Sequence, residues 1–235
     1  MLSADAHTLR QKQESVNSGR WDFLCYLGGT VRGLRLMEVL HFTIFKSPVG
    51  PLFLAASEKG LVALEFDARL AGQQTIRPNP RDVVSESRRE ENRRVRFEEC
   101  GVENDSPQGS QGDTEGVAVI RHCMRELEEY FAGSRREFGF ALDLRGTEFQ
   151  LSCWRALLAI PYGETRTYAD IARAVGRPQG FRAVGMANNR NPVAIVVPCH
   201  RVIASDGTLC GYGGGLEIKR KLLELEGALS GTLAA

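Results

Sequence analysis

No Cys-x-x-Cys pair occurs in this 235-residue chain, although it holds six cysteines, Cys25, Cys100, Cys123, Cys153, Cys199 and Cys210. Their irregular spacing argues against a disulfide scaffold and for a reducing compartment. Histidine is scarce too: four, at positions 7, 41, 122 and 200, without the spacing of a structural zinc site. No apolar run approaches the roughly 20 residues that span a bilayer, which argues against an integral membrane role. The first residues lack the charged and apolar regions of a secretory signal peptide. Net charge is small, +1 overall. Lysine is missing altogether from residues 147–203, where seven arginines stand against Glu148, Glu164 and Asp170, a local excess of +4. Such a stretch can meet phosphates, but an ordinary solvated surface carries as much.

What is present is enough for a core. Hydrophobic residues make up 43% and charged residues 25%, ordinary values for one or two domains. Residues 1–36 read as a loosely ordered N-terminal extension broken by Gly28, Gly29 and Gly33, and the strand pattern begins directly after Met37, itself a possible natural start. Leu40–Lys46, Pro51–Ser57 and Leu61–Phe66 alternate or run apolar between Pro/Gly turns, the pattern of an antiparallel meander. Residues 69–116 are rich in charge, Ser, Gln and Gly, and read as an exposed polar insertion, largely disordered. Val117–Phe131 places Val117, Ile120, Met124, Leu127 and Phe131 on one helix face, and Phe138–Leu144 alternates as a further strand. Cys123 and Cys153 fall on apolar helix faces and read as inert core residues. The expected fold class is α/β (α+β): a small N-terminal antiparallel sheet with a packed helix at 37–146, then a mainly helical C-terminal domain at 147–235.

In that second half Thr147 caps a helix to Ile160, with Phe149, Cys153, Trp154, Leu157 and Leu158 inward. Thr165 or Thr167 can cap Tyr168–Val175, and after the turn Gly176-Arg177-Pro178 a second helix runs from about Gln179 to Asn189. This is a helix-turn-helix pattern. The second helix presents Gly180, Ala183, Gly185 and Ala187 rather than long base-reading side chains, which suits a minor groove. Arg182 is its one long basic residue midway along, either a surface arginine or a plug that fills the stack when a base is rotated out. Val193–Val197 reads as a buried strand delivering Cys199 beside His200. A free thiol has a pKa of ~8.5 and needs a base near neutrality, and His200 is placed to act directly or through water. A carboxylate should orient that imidazole; Asp206, Glu217, Glu224 and Glu226 are available. The helix Leu216–Glu226 should pack Leu216, the Lys219 stem, Leu222, Leu223 and Leu225 around the site. Gly211-Tyr212-Gly213-Gly214-Gly215 lets a flat ligand approach, with Tyr212 able to stack on it. It lacks the Lys and Ser/Thr of a phosphate cradle.

Tyr168-Ala-Asp-Ile-Ala, Arg182-Ala-Val-Gly, Asn191-Pro, Pro198-Cys-His-Arg-Val202 and Gly211-Tyr-Gly-Gly-Gly together resemble the O6-alkylguanine-DNA alkyltransferases, the methylated-DNA–protein-cysteine methyltransferases. The resemblance covers residues 117–227 strongly and 38–66 weakly. It implies a ribonuclease-H-like N-terminal domain and an active-site strand carrying Pro-Cys-His-Arg. It implies that Cys199 accepts the alkyl group, that His200 removes its proton through a water, and that Glu226 orients His200. Asn191 would bridge the helix pair to the active-site strand, Tyr168 would help rotate the nucleotide and protonate the leaving guanine, and Arg182 would fill the gap in the duplex. Ala169, Arg177 and Ser205, with Ala183 and Gly185 on the second helix, fall where the family meets DNA. Val202, Tyr212, Gly213 and Cys210 fall around the base. The implied reaction is single-turnover repair of O6-alkylguanine, and more weakly of O4-methylthymine, in double-stranded DNA approached from the minor groove. The implied protein is a monomer without metal or organic cofactor, cytoplasmic in a prokaryote or nuclear in a eukaryote. Two positions depart from the family pattern. Gly213 stands where many relatives carry a side chain near O6, and Cys210 stands where relatives are often small, narrowing the pocket against bulky alkyl groups. The tail 1–36 and the insertion match nothing in the family, and the four-cysteine zinc domain of its regulatory relatives is missing. The non-catalytic alternative, a lesion sensor or regulator, has no use for the Cys199–His200 pair.

Overall fold

A computed structural model describes residues 38–66, 95–101 and 114–229. The extension 1–36 and most of the polar insertion lie outside the described residues. Strands β1 (Glu38–Ser47), β2 (Gly50–Ser57) and β3 (Gly60–Phe66) form the expected meander, antiparallel at both pairings. A fourth strand, β4 (Val95–Glu99), joins the far edge of β1 in parallel. This corrects two expectations: the sheet is mixed, and part of the supposed insertion is a strand. Charge masks the alternation of Val95 and Phe97, yet Phe97 packs edge-on against Phe42, ring centroids 6.4 Å apart. Charged residues are at home on an edge strand, where they discourage pairing with another chain.

Helix α1 (Glu115–Phe131) is capped by Thr114 and buries Ile120, Cys123, Met124, Leu127 and Tyr130. Val117 and Phe131 are only half-buried, so the inward face is rotated slightly from the expected one. The segment Phe138–Leu144 does not form the expected strand. It touches β3 through one bridge, in which Leu61 N donates to Ala141 O at 2.8 Å and Asp143 N to Leu61 O at 2.9 Å. Gly60 permits that approach, since a Cβ there would fall 2.6 Å from Ala141 O. Side chains then take over from the ladder: Asp143 accepts from Ser57 at 2.7 Å, and Arg145 bonds Glu38 at 2.9 Å.

Helix α2 (Glu148–Leu158) has a full capping box at Thr147 and Gln150 and buries Cys153, Trp154 and Leu157. Leu158 is exposed. Strand β5 (Arg166–Thr167) leads into α3 (Tyr168–Ala174), whose cap is Thr167, reciprocated by Asp170. Such a cap contributes about 1 kcal/mol. Helix α4 (Phe181–Asn189) follows after the connection through Gly176 and Pro178. Trp154 Nε1 donates to Ala187 O at 2.9 Å, fixing α4 on α2. β5 pairs in parallel with β6 (Val202–Ile203), and α5 (Leu216–Leu225) ends the described chain. Leu216 is exposed rather than packed at the site. One hydrophobic cluster runs from Phe45, Leu54 and Leu64 of the sheet through α1 to Trp154, Val184, Val197 and Leu222. Among the described residues no helix is long and apolar enough to cross a membrane.

Candidate active site

The expected strand at 193–197 is not one. Leu64 N donates to Pro192 O and Ala194 N to Leu64 O, both at 2.8 Å, so β3 grips only the start of this run. Val196 N then donates to Ala194 O and Val197 N to Val193 O, which are turn bonds. Ile195 has φ 69°, a left-handed conformation that a β-branched residue adopts only at a cost. Cys199–Arg201 forms one turn of 3₁₀-helix rather than strand. A continuous apolar run indicates burial without settling strand from turn; the turns let the chain reverse under β3 and present Cys199.

Asn191 ties this segment together. Its Nδ2 donates to Val197 O at 2.7 Å and to Cys199 Sγ at 3.2 Å, while its Oδ1 accepts from Val193 N at 3.0 Å. Cys199 is 8% exposed. Burial pushes its thiol up, and the Asn191 amide and the Lys219 charge offset part of that rise. Behind it His200 is completely buried, with Nε2 2.9 Å from Glu226 Oε1. Its Nδ1 has no hydrogen-bond partner among the described residues. Burial drives the imidazole below its ordinary value against the pull of Glu226, so it rests neutral. Burial also works against the charge of Glu226, but hydrogen bonds from His200 and Arg201 overcome it and hold that carboxyl at about 2.

Three groups in this network had no role assigned from sequence. Arg201 Nε donates to Glu226 Oε2 at 2.7 Å, its NH2 to Oε1 at 2.9 Å and its NH1 to Ile160 O at 2.6 Å. Tyr130 of α1 donates to Glu226 Oε1 at 2.7 Å. Lys219, read only for its stem, buries its ammonium, which donates to Val202 O at 2.6 Å and Cys210 O at 2.9 Å. Arg201 stood inside the recognised motif, and a lysine among Ile218, Leu222 and Leu223 was a visible anomaly. Nothing near Tyr130 in the chain could have announced a partner at Glu226.

Cys199 opens on a cavity of about 260 Å³ whose lining includes Asn188, Asn191, Tyr212, Gly213 and, from β3, Phe66. That is slightly below the ~300 Å³ typical of small-ligand pockets. Phe66 meets Tyr212 edge-on, centroids 5.6 Å apart. Tyr168 and Cys210 lie outside this lining, and Tyr168 is near the thiol. Burial raises the Tyr168 hydroxyl, and so do a hydrogen bond to Cys210 and the nearness of Cys199. Val202 is wholly buried, not part of the lining. Arg177, Arg182, Ala183 and Ser205 are exposed, while Ala169 and Gly185 are half-buried on α3 and α4. The structure thus gathers Cys199, His200, Glu226, Asn191, Tyr212 and Gly213, and leaves the other set on the surface. The arrangement is a buried thiol with an adjacent neutral base whose other ring nitrogen is held by a carboxylate.

Known proteins are similar to this chain across both of its halves. Residues 40–144 match the model of the 6-O-methylguanine DNA methyltransferase ribonuclease-like domain, and residues 148–228 that of its DNA binding domain. A methylated-DNA–protein-cysteine methyltransferase of Mycobacterium leprae is 63% identical over 188 residues, 80% of this chain and 93% of that protein. The one of Methanosarcina barkeri is 44% identical over 187 residues, 80% of this chain and 97% of that protein. Mycobacterium tuberculosis OGT, crystallised in complex with DNA, is 39% identical with a TM-score of 0.57, covering 81% of this chain and 93% of that one. With both domain models matched and relatives this similar over nearly their whole length, the chain belongs to the O6-alkylguanine-DNA alkyltransferase family, the methylated-DNA–protein-cysteine methyltransferases.

Proposed function

We propose that this chain repairs O6-alkylguanine in double-stranded DNA by moving the alkyl group to the sulfur of Cys199, leaving guanine in an unbroken strand. The observation that carries this reading is the cavity-facing thiol held by the Asn191 amide, with a neutral His200 and the Glu226 carboxylate directly behind it. His200 takes the thiol proton through a water, and Glu226 stabilises the imidazolium that results. The thiolate attacks the alkyl carbon in line: the S–C bond forms, the C–O6 bond breaks, and its electron pair passes to the purine. Tyr168, which burial keeps protonated, donates a proton as guanine leaves, and the proton that His200 took from the thiol balances that loss. A thioether has no easy way back, so one protein molecule repairs one lesion.

The helix pair α3–α4 is the DNA-reading helix-turn-helix in this proposal. Its small residues Ala183 and Gly185 let α4 approach the minor groove, Arg182 fills the stack vacated by the rotated nucleotide, and Ala169, Arg177 and Ser205 meet the backbone. Residues 147–235 carry DNA binding and transfer, residues 37–146 support them, and the protein acts as a monomer. O4-methylthymine is a weaker substrate. Cys210, hydrogen-bonded to Tyr168, limits the size of alkyl group accepted.

The test is intact and peptide mass after mixing with duplex carrying one O6-methylguanine. One methyl on the Cys199 peptide, saturating at one per protein and absent in Cys199→Ser, is expected. Lesion binding with no mass gain would move the function to a sensor. In the same assay with O6-benzylguanine, Cys210→Gly should react faster than the unaltered chain; equal rates would remove Cys210 as the size limit.

A further inference from the structure

Among the groups behind Cys199, Tyr130 is buried, ionisable and unused by the reaction above. It stands in the last turn of α1, in the N-terminal half, and is completely buried. Its ring packs on Phe138 and Tyr162, centroids 5.5 and 6.2 Å away. Packing accounts for the ring but not for the hydroxyl, because a buried hydroxyl costs stability unless it finds a partner. Here the partner is Glu226 Oε1, at 2.7 Å. Burial and the neighbouring carboxylate push the phenol far above its ordinary value, so it donates and keeps its proton.

Oε1 is also the atom that His200 Nε2 and Arg201 NH2 meet, each at 2.9 Å. One oxygen thus serves three donors, and each hydrogen bond draws on the same negative charge. Ionised Glu226 can only accept, so Nε2 carries a hydrogen and the basic nitrogen is Nδ1. The charge left on Oε1 decides how strongly a proton is held there, since a nearby carboxylate favours the imidazolium. The charged groups facing the imidazole are Glu226 and Lys219 of α5 and Arg201 of its own turn, and the Tyr212 ring of the glycine loop stands edge-on with its centroid 6.5 Å away. Of these charges Glu226 favours the proton, while Arg201 and Lys219 oppose it. Whatever tempers that one carboxylate therefore tempers the base.

We propose that Tyr130 is a positioning residue that sets the basicity of His200, by donating to the oxygen against which the imidazole leans and so sparing the base from early protonation. This rests on the reading of Cys199 and His200 as the transfer pair. A phenol suits the task better than a further cation. It thins the charge on Oε1 without adding one that would repel the imidazolium once the thiol proton arrives. Through it the N-terminal half, which supplies no reacting group, acts on the chemistry.

The test compares the full chain with Tyr130→Phe, which keeps the ring and removes the hydroxyl. The His200 ring is followed by NMR in DNA-free protein from pH 8 to 4, and single-turnover methyl transfer is timed over the same range. With the hydroxyl gone, Glu226 holds a proton on His200 more strongly. The protonation midpoint of His200 and the acid fall of the rate should then both move up by about one pH unit, the scale of one neighbouring interaction. A hydroxyl that only packs would lower the rate alike at every pH and leave both midpoints in place; that result, or a downward shift, overturns the inference. If Tyr130→Phe does not fold, the unaltered chain still decides. Its buried Tyr130 hydroxyl proton should change resonance position in step with His200, because the two share Oε1, and a proton that ignores the titration overturns the inference equally. A shifted NMR midpoint in a chain that gains no methyl leaves this inference standing and removes the transfer reading; methyl gain with unmoved midpoints does the reverse.

Discussion

Burial pushes the Cys199 thiol up, and the Asn191 amide and the buried Lys219 ammonium pull it only partway back. The sulfur therefore waits protonated, and its activation falls to His200 at the moment of reaction. That assigns a pH dependence. His200 sits below its ordinary value of 6.5 because it is buried. The base form thus survives below pH 6.5, and the single-turnover rate should stay level through that value and fall only at more acid pH. Stability moves the other way round the same number: the unfolded chain takes up a proton near pH 6.5 that folded His200 refuses, so stability is full above it and declines below. Glu226 adds a second loss between its ordinary 4.5 and about 2, as its paired carboxylate is protonated. Transfer rate and melting temperature measured from pH 8 to 4 should therefore part company, melting falling first. A rate that drops at pH 6.5 with no fall in melting there would mean His200 titrates normally. At this scale the sequence was most readable: Cys199, His200 and Asn191 stand in local motifs, and the choice of Glu226 over Glu217 and Glu224 came from the family resemblance. Arg201 stood in the motif with its role unread and Tyr130 gave no local signal, because their partner lies 25 and 96 residues away.

Among the elements, the contact between β3 and the glycine loop controls the shape of the cavity. A Cβ on Gly214 would lie 2.9 Å from the Phe66 ring, too close for either to stay. Gly214→Ala should therefore displace Phe66 and its partner Tyr212 and slow transfer about tenfold, and Phe66→Leu in the same chain should restore most of the loss. A double-mutant cycle on single-turnover rates measures this; additive losses would show that the contact does not matter. Elements with a clear period and a cap were legible, as α2 and α3 illustrate with Thr147 and Thr167. Those set by tertiary partners were not. β4 is a strand because β1 offers it an edge, and 193–197 is turned because β3 bonds only its first residues. Neither partner is near in sequence, so the local pattern was read as insertion in one case and strand in the other.

Among the described residues the main core is continuous across residues 146 and 147, and the carboxylate behind His200 is held from both sides of that point, by Tyr130 and by Arg201. A fragment of residues 147–235 would lose the Leu64 bonds to 192–194, the Phe66 wall and the Tyr130 hydroxyl together. It should melt at least several degrees lower and transfer at least tenfold more slowly than the full chain, and mixing it with a separately made 1–146 should recover part of the rate. An isolated fragment as fast as the full chain would show that the sheet only decorates the site. The hub at Glu226 also bears on synthesis. Its four donating partners come from Tyr130, Gly163, His200 and Arg201, and the acceptor is added last. A ribosome will have delivered Cys199 well before it delivers Glu226, and through that interval His200 has no anion to hold it. The nascent polypeptide thus carries an idle sulfur, and a single-use reagent is armed only once Glu226 has joined it.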